Sequence, residues 1–208
     1  LTHTPYCSPM DSHPAPPCGT LAERYQALLE VAQAISSHRD LHALFRDLAQ
    51  RLPRVVLVNF IVLTLHDPER NTIRVHTIQA NVPVDLIGGH EDPVEESPAG
   101  LVWQTQEPTL IPDLAEEHRW PKVVGYMRED GMNSCCFVPL TTAVRRLGAV
   151  GFLSLQKEAY GDTDLEFLQQ VAKQVAVAVD NVLNFASTEA AQQSLARERD
   201  RLSLVLEI

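Results

Sequence analysis

The sequence has no surplus of positive charge: 17 Lys and Arg stand against 27 Asp and Glu, giving a net charge of −10 and a pI near 5.2. A chain that grips a phosphate backbone needs a basic face, so direct nucleic-acid binding by this segment is not expected. Nor is there a run approaching the roughly 20 apolar residues that a helical membrane crossing requires. The N-terminus lacks the basic-then-apolar pattern of an export signal, which makes a cytoplasmic setting without membrane attachment the expectation. Cysteine is scarce. Of the four, Cys7 and Cys18 lie near the start and Cys135 and Cys136 are neighbours, so no C-x-x-C or other metal-ligand spacing occurs. In a cytosol those thiols are reduced by default.

What is present is apolar mass. With 45% apolar and 21% charged residues, the chain lies far from the composition of a disordered segment. Its 208 residues suffice for one good-sized core with appendages, and are short for two independent domains.

Residues 1–19 carry Pro5, Pro9, Pro14, Pro16 and Pro17 with no helical or strand period, which reads as a flexible tail. At Thr20 the pattern changes. Thr20-Leu21-Ala22-Glu23 fits a capping box, and Leu21, Tyr25, Leu28, Ala32 and Ile35 make one apolar stripe. A second helix capped by Asp40 carries Leu41, Phe45, Leu48 and Leu52, and Pro53 stops it. Val55–His66 and Thr72–Ala80, joined by the turn Asp67–Asn71, read as an antiparallel hairpin. The middle, 81–132, is loop-rich, with Ser97-Pro98 starting a short helix over Ala99–Thr105, a strand at Thr109–Ile111 and a helix over Val123–Glu129 ending at Gly131. Ser134–Leu140 and Leu147–Gln156 form a second hairpin with a basic tip at Arg145-Arg146. From Asp162 or Thr163 a helix carries Leu165, Leu168, Ala172, Val175, Val179 and Val182, and the spacing resumes at Leu195, Leu202 and Val205. A stripe that long extends past any contact with one core layer and suggests a partner helix or coiled coil.

Three stretches resemble the GAF domain family. Gly148–Leu155 is similar to its G-x-φ-x-φ-x strand, Tyr160–Leu168 to its aromatic-x-x-x-D-x-x-φ-L helix start, and Gln174–Asn181 to its closing Q-x-A-x-A-φ-x-N helix. The resemblance spans about 20–186. It implies an α+β, PAS-like fold: a central, mainly antiparallel β-sheet with terminal helices on one face and a loop-covered cavity on the other. Leu21–Leu52 and Arg119–Cys136 look most like the GAF regions of formate-hydrogenlyase-activator-type, sigma-54-dependent transcriptional regulators. Asp200–Ile208 echoes Glu23–Val31, so 187–208 is expected to be a linker helix opening a second GAF unit of a longer protein.

The resemblance implies a sensor for a small molecule that the sequence does not identify, with no cofactor assignable. The two terminal helices carry more apolar surface than one sheet face needs, so the excess, with Val179 and Val182 at the seam, is expected to pair in a two-fold homodimer. By strand alternation, Phe60, Val62 and His76 would line the cavity from the first hairpin, and Cys135, Phe137, Phe152 and Ser154 from the second. Trp103, Asp113, Tyr126 and Met127 belong to the covering segments. Cys135 and Cys136 admit a redox or catalytic role, as in the free methionine sulfoxide reductases of this fold. No His or Lys adjoins them, however, so buried structural thiols are the expectation and the chain is not expected to be an enzyme. His66 before Asp67-Pro68 reads as a turn residue, and with His76, His90 and His118 it offers no ligand spacing. Cyclic-nucleotide-binding members carry N-K…F-x-x-x-D-E; here Tyr160 and Asp164 match, Leu165 replaces the glutamate, and only Gln156-Lys157 stands near the Asn-Lys position. Bilin attachment would need a Cys beside a His in Val123–Glu129, which has neither. A ligand-free dimerisation module and a thiol-dependent reductase remain the rival readings.

Overall fold

The strands alternate in what they bury, and that alternation builds two cores on one sheet. The computed structural model describes residues 20–37, 41–80 and 90–206. In chain order the elements are α1 (Leu21–Ser37), α2 (Leu41–Arg51), β1 (Phe60–Asp67), β2 (Thr72–Ala80), β3 (Glu91–Pro93), α3 (Pro98–Thr105), β4 (Thr109–Ile111), α4 (Pro121–Glu129), β5 (Ser134–Thr141), β6 (Arg146–Ser154) and α5 (Asp162–Leu206), with single 3-10 turns at Leu52–Arg54 and Val94–Glu96. The sheet runs β3-β2-β1-β6-β5-β4, every neighbouring pair antiparallel. This is the α+β, mainly antiparallel architecture that the sequence implies.

On one face Ile61, Leu63, Cys136, Val138, Val150 and Phe152 pack under α2 and α5, against Phe45, Leu48, Leu168, Val171, Val175 and Val179. On the other, Phe60, Val62, Cys135, Phe137 and Leu153 meet the segments around α3 and α4 through Val102, Leu114, Trp120 and Val124. Each fully buried Leu, Val or Phe contributes about 1.5–3 kcal/mol, so both faces hold the sheet. Gly151 is required where β6 passes β5, because a Cβ there would lie 2.6 Å from the Phe137 ring.

The capping box is formed: the Thr20 N–H donates to Glu23 Oε2 at 2.6 Å, and the Glu23 N–H donates to Thr20 Oγ1 at 3.3 Å. Beyond it α1 departs from expectation. Leu21, Tyr25 and Leu29 are exposed, and the buried face is Arg24 and Ala27 with Leu28 partly covered. The reason is layering. α2 and α5 lie on the sheet, while α1 packs outside them on α5 and α2. Arg24 ties it there, donating to Asp164 Oδ1 at 2.6 Å and to the Thr163 carbonyl at 2.7 Å. The 1–19 tail, the Asp40 cap and the end of the Asp200–Ile208 echo lie outside the described residues.

α5 is one helix of 45 residues, about 68 Å long at ~1.5 Å per residue. Its sheet-facing residues end near Leu183, and the basic tip of the second hairpin grips it just there: Arg145 donates to Asp180 Oδ1 at 2.6 Å and to Asn184 Oδ1 at 2.9 Å. Val179 is fully buried in the sheet core, so it belongs to this packing and not to a surplus stripe that a second subunit would cover. Among the described residues no helix is long and apolar enough to cross a membrane.

Candidate ligand-binding site

Two β-bulges decide which side chains reach the second face of the sheet. In the first hairpin Leu63 pairs with Thr77 and Thr64 with Val75, leaving His76 as the extra residue. In the second, Leu140 pairs with Gly148 and Thr141 with Arg146, leaving Leu147 as the extra one. One inserted residue reverses the in-out parity of everything beyond it. Val62, Thr64, Ile73, Val75, Phe137 and Leu153 therefore share one face.

Over that face stand α3 and α4, with the edge strand β3 at its side, and together they bound a half-open cavity of about 280 Å³. α3 starts where it does because Ser97 caps it, its Oγ accepting from the Gly100 N–H at 2.9 Å, with Pro98 at the first helical position. α4 ends on Gly131, whose φ of +81° a glycine adopts without strain. Ser97, Pro98 and Ala99 from the start of α3, and Val123, Tyr126, Met127, Glu129 and Asp130 from α4 and its end, complete the wall with His90, Asp92 and Met132. Most of the lining is aliphatic or thioether. At its polar side the nearly buried Asp92 accepts from Lys122 Nζ at 2.6 Å, and that carboxylate holds the ammonium above the ordinary lysine range. The His90 ring stacks on Tyr126, centroids 5.0 Å apart. Thr64 does not offer its proton inward, since its Oγ1 donates to the Ala149 carbonyl at 2.8 Å.

Of the residues the sequence points to, Val62, Tyr126, Met127 and Phe137 line this cavity. Phe60 and Cys135 sit in the same apolar cluster behind the lining. The other five do not line the cavity. His76, the bulge residue, is turned to the opposite face and borders an exposed groove with Arg74 and Arg145. Phe152 is in the helix-side core, because the Leu147 bulge gives the cavity face to Gly151 and Leu153. Ser154 ends β6, its Oγ donating to Asn59 Oδ1 at 3.3 Å. Trp103 packs at the edge of the cavity-side cluster without lining the cavity, stacked on His66 with centroids 3.7 Å apart. Asp113 accepts from Lys157 Nζ at 2.7 Å and from the Ala115 N–H at 2.9 Å, and these partners, Lys157 foremost, hold its carboxyl below the usual range. Sequence reasoning missed Ile73, Val75 and Leu153, which needed the bulges, Met132, which lies in the loop between α4 and β5, and Asp92, whose three-residue strand carries no periodic signal.

The adjacent thiols point to opposite faces, Cys135 into the cavity-side cluster and Cys136 into the helix-side core, both fully buried. Burial first, then the neighbouring Asp164, pushes Cys136 up to about 12, and burial pushes Cys135 up as well. Among the described residues no three His, Cys, Asp or Glu side chains converge closely enough to hold a metal ion.

The family model of the GAF domain matches residues 38–180. The chain belongs to the GAF family. Its GAF region is similar to that of the DNA-binding transcriptional activator HyfR of Escherichia coli K12, 23% identical over 189 residues that cover 87% of this chain and 28% of that protein. The formate hydrogenlyase transcriptional activator FhlA of the same organism is 22% identical, over 86% of this chain and 25% of its own length. The chain thus spans about a quarter of these curated relatives. Among solved structures, the GAF domain of an Acinetobacter phosphoenolpyruvate-protein phosphotransferase superposes with a TM-score of 0.65 at 16% identity, covering 79% of this chain and 97% of that one. The Neisseria meningitidis free methionine-R-sulfoxide reductase, solved with its substrate, gives a TM-score of 0.64 at 14% identity over 80% of this chain and 95% of that one. At these identities the two structures share the GAF fold and nothing further follows from them.

Proposed function

We propose that this chain is a regulatory, non-enzymatic GAF domain of a cytoplasmic bacterial signalling protein, a sigma-54-dependent transcriptional activator, and that it senses a small molecule in the cavity bounded by Val62, Tyr126, Met127 and Phe137. The observation that carries this reading is the pairing of a half-open, mostly apolar cavity with a helix continuous from the sheet outward. A pocket of this make-up is where a ligand would bind. α4 and α3 close it on one side of the sheet; α5 packs on the other side and runs on beyond Leu183. A shift of the sheet caused by an occupant would therefore reach whatever follows α5. The likeness to HyfR and FhlA supports a transcriptional role. In the same reading the GAF unit covers 20–186, and 187–208 is the linker helix leading to the next module.

The thiol-dependent reductase is disfavoured by geometry and chemistry together. Cys135 and Cys136 are buried on opposite faces, and burial keeps both protonated at neutral pH, so neither is a nucleophile there.

Dimerisation is assigned to the apolar residues that the fold leaves outside: Leu21, Tyr25 and Leu29 at four-residue spacing on α1, and Val177 and Phe185 on α5. A self-complementary pairing of such stripes gives a two-fold dimer. Two measurements test the proposal. A native mass spectrum of freshly purified protein is expected to show a non-covalent adduct that the cavity-filling Val62→Phe variant lacks; an adduct of equal abundance in both would place the ligand elsewhere. Sedimentation is expected to show a dimer at micromolar concentration that Leu21→Glu with Phe185→Glu converts to monomer. A monomeric wild type would remove the dimer from the account.

A further inference from the structure

The charge around the cavity is one-sided. Asp92, Glu129 and Asp130 border it, and among the described residues no Lys or Arg lines it. Lys122 approaches from outside and neutralises part of this through Asp92, so three carboxylates and one ammonium leave two negative charges. An anion entering this space would lose water without gaining a cationic partner, which is the costly case. A cation meets the reverse. Asp92 has a side chain only 8% exposed; its Oδ1 accepts from Lys122, and its Oδ2 has no hydrogen-bond partner among the described residues. Tyr126 and Phe137 add aromatic faces, which attract cations. The volume of about 280 Å³ is nearly twice the ~150 Å³ that accommodates a benzene, so it fits a two-ring body.

We propose that the cavity takes a compact organic cation, an ammonium group on a small aromatic body, with the ammonium on Asp92 and the body against Val62, Met127 and Phe137. This rests on reading the cavity as the ligand site. The test is isothermal titration calorimetry of the 208-residue chain with three indoles of matched shape: tryptamine, neutral 3-ethylindole and anionic indole-3-propionate. Tryptamine is expected to bind at least ~10-fold more tightly than 3-ethylindole, equivalent to ~1.4 kcal/mol. Indole-3-propionate is expected to give no binding heat at millimolar concentration. Asp92→Asn should bring tryptamine to within about 3-fold of 3-ethylindole. Lys122→Met changes a half-exposed residue and releases Asp92 from its partner, so it should tighten tryptamine. Binding of indole-3-propionate as tight as that of tryptamine would overturn the cationic assignment and leave a ligand cavity standing. No binding by any of the three would also overturn it, and the adduct in the native mass spectrum would then decide the sensor reading by itself. Tryptamine affinity unchanged in both variants would remove Asp92 from the assignment.

Discussion

Val62 and Leu63 are neighbours on β1 and lie in different surroundings. Leu63 is fully buried among Phe45, Val150 and the inner face of α5. Val62 is covered too, yet it borders open space that α3 and α4 bridge without filling. The strands supply both faces with similar residues, so the difference comes from what lies over them. On one side two helices of 11 and 45 residues press apolar stripes into the sheet. On the other, helices of 8 and 9 residues span the same sheet with loops between. Here the long helices close-pack on the sheet, and the short ones leave a hollow. The fold thus separates the face that supplies stability from the face available for recognition.

The largest expected effect contrasts the two faces directly. Phe152→Ala, in the helix-side core, should cost about 3–5 kcal/mol, because truncating a buried aromatic loses its burial and leaves a void. Met127→Ala, on the cavity wall, should cost about 1 kcal/mol or less, since that side chain is half-buried and already borders a void. Chemical denaturation of both variants checks this, and equal losses would break the contrast.

Next in size is an alkaline effect at the two thiols. Their folded pKa values are raised, so an unfolded chain releases those protons first as pH climbs past ~8.5. Stability is then fully present below ~8.5 and falls between there and about 12, the folded value of Cys136. At pH ~10 the loss is about 2 kcal/mol per thiol. Unfolding midpoints at neutral and alkaline pH for the wild type and for the single variants Cys135→Ala and Cys136→Ala isolate each contribution. Equal contributions mean that the base of the cavity is as dry as the helix-side core. A smaller one from Cys135 would mean that water from the cavity reaches it.

Smaller still is the effect of Tyr160→Phe. The Tyr160 hydroxyl is buried on the helix side with no hydrogen-bond partner among the described residues. Removing an unpaired polar atom should leave stability unchanged or raise it by up to about 1 kcal/mol. A loss of more than that would mean that the hydroxyl is bonded within the packed face.

Much of the fold was legible because its signals are local. The Thr20–Glu23 capping box, Ser97-Pro98 and the short continuous apolar runs of β1 and β5 each fix an element through its own neighbours. Even the opposite facing of Cys135 and Cys136 follows from the two-residue period of a strand. The cavity wall was only partly legible, because it depends on register. The bulges at His76 and Leu147 have no composition signal, yet they turned His76 and Phe152 away and brought Val75 and Leu153 inward. The α1 stripe misled for a related reason: Leu21 and Tyr25 form a good apolar face, but α2 and α5 already occupy the sheet. What covers a stripe is a tertiary fact.

The most direct test of the two-faced account is the overpacking pair Val62→Phe and Leu63→Phe, measured by denaturant midpoint. Enlarging a side chain in a filled core costs about 1–3 kcal/mol, and that is the prediction for Leu63→Phe. Val62→Phe grows into the cavity, so its midpoint is predicted to match or exceed that of the wild type. Equal losses in the two variants would mean that the second face is as full as the first, and the account of a ligand cavity there would be contradicted.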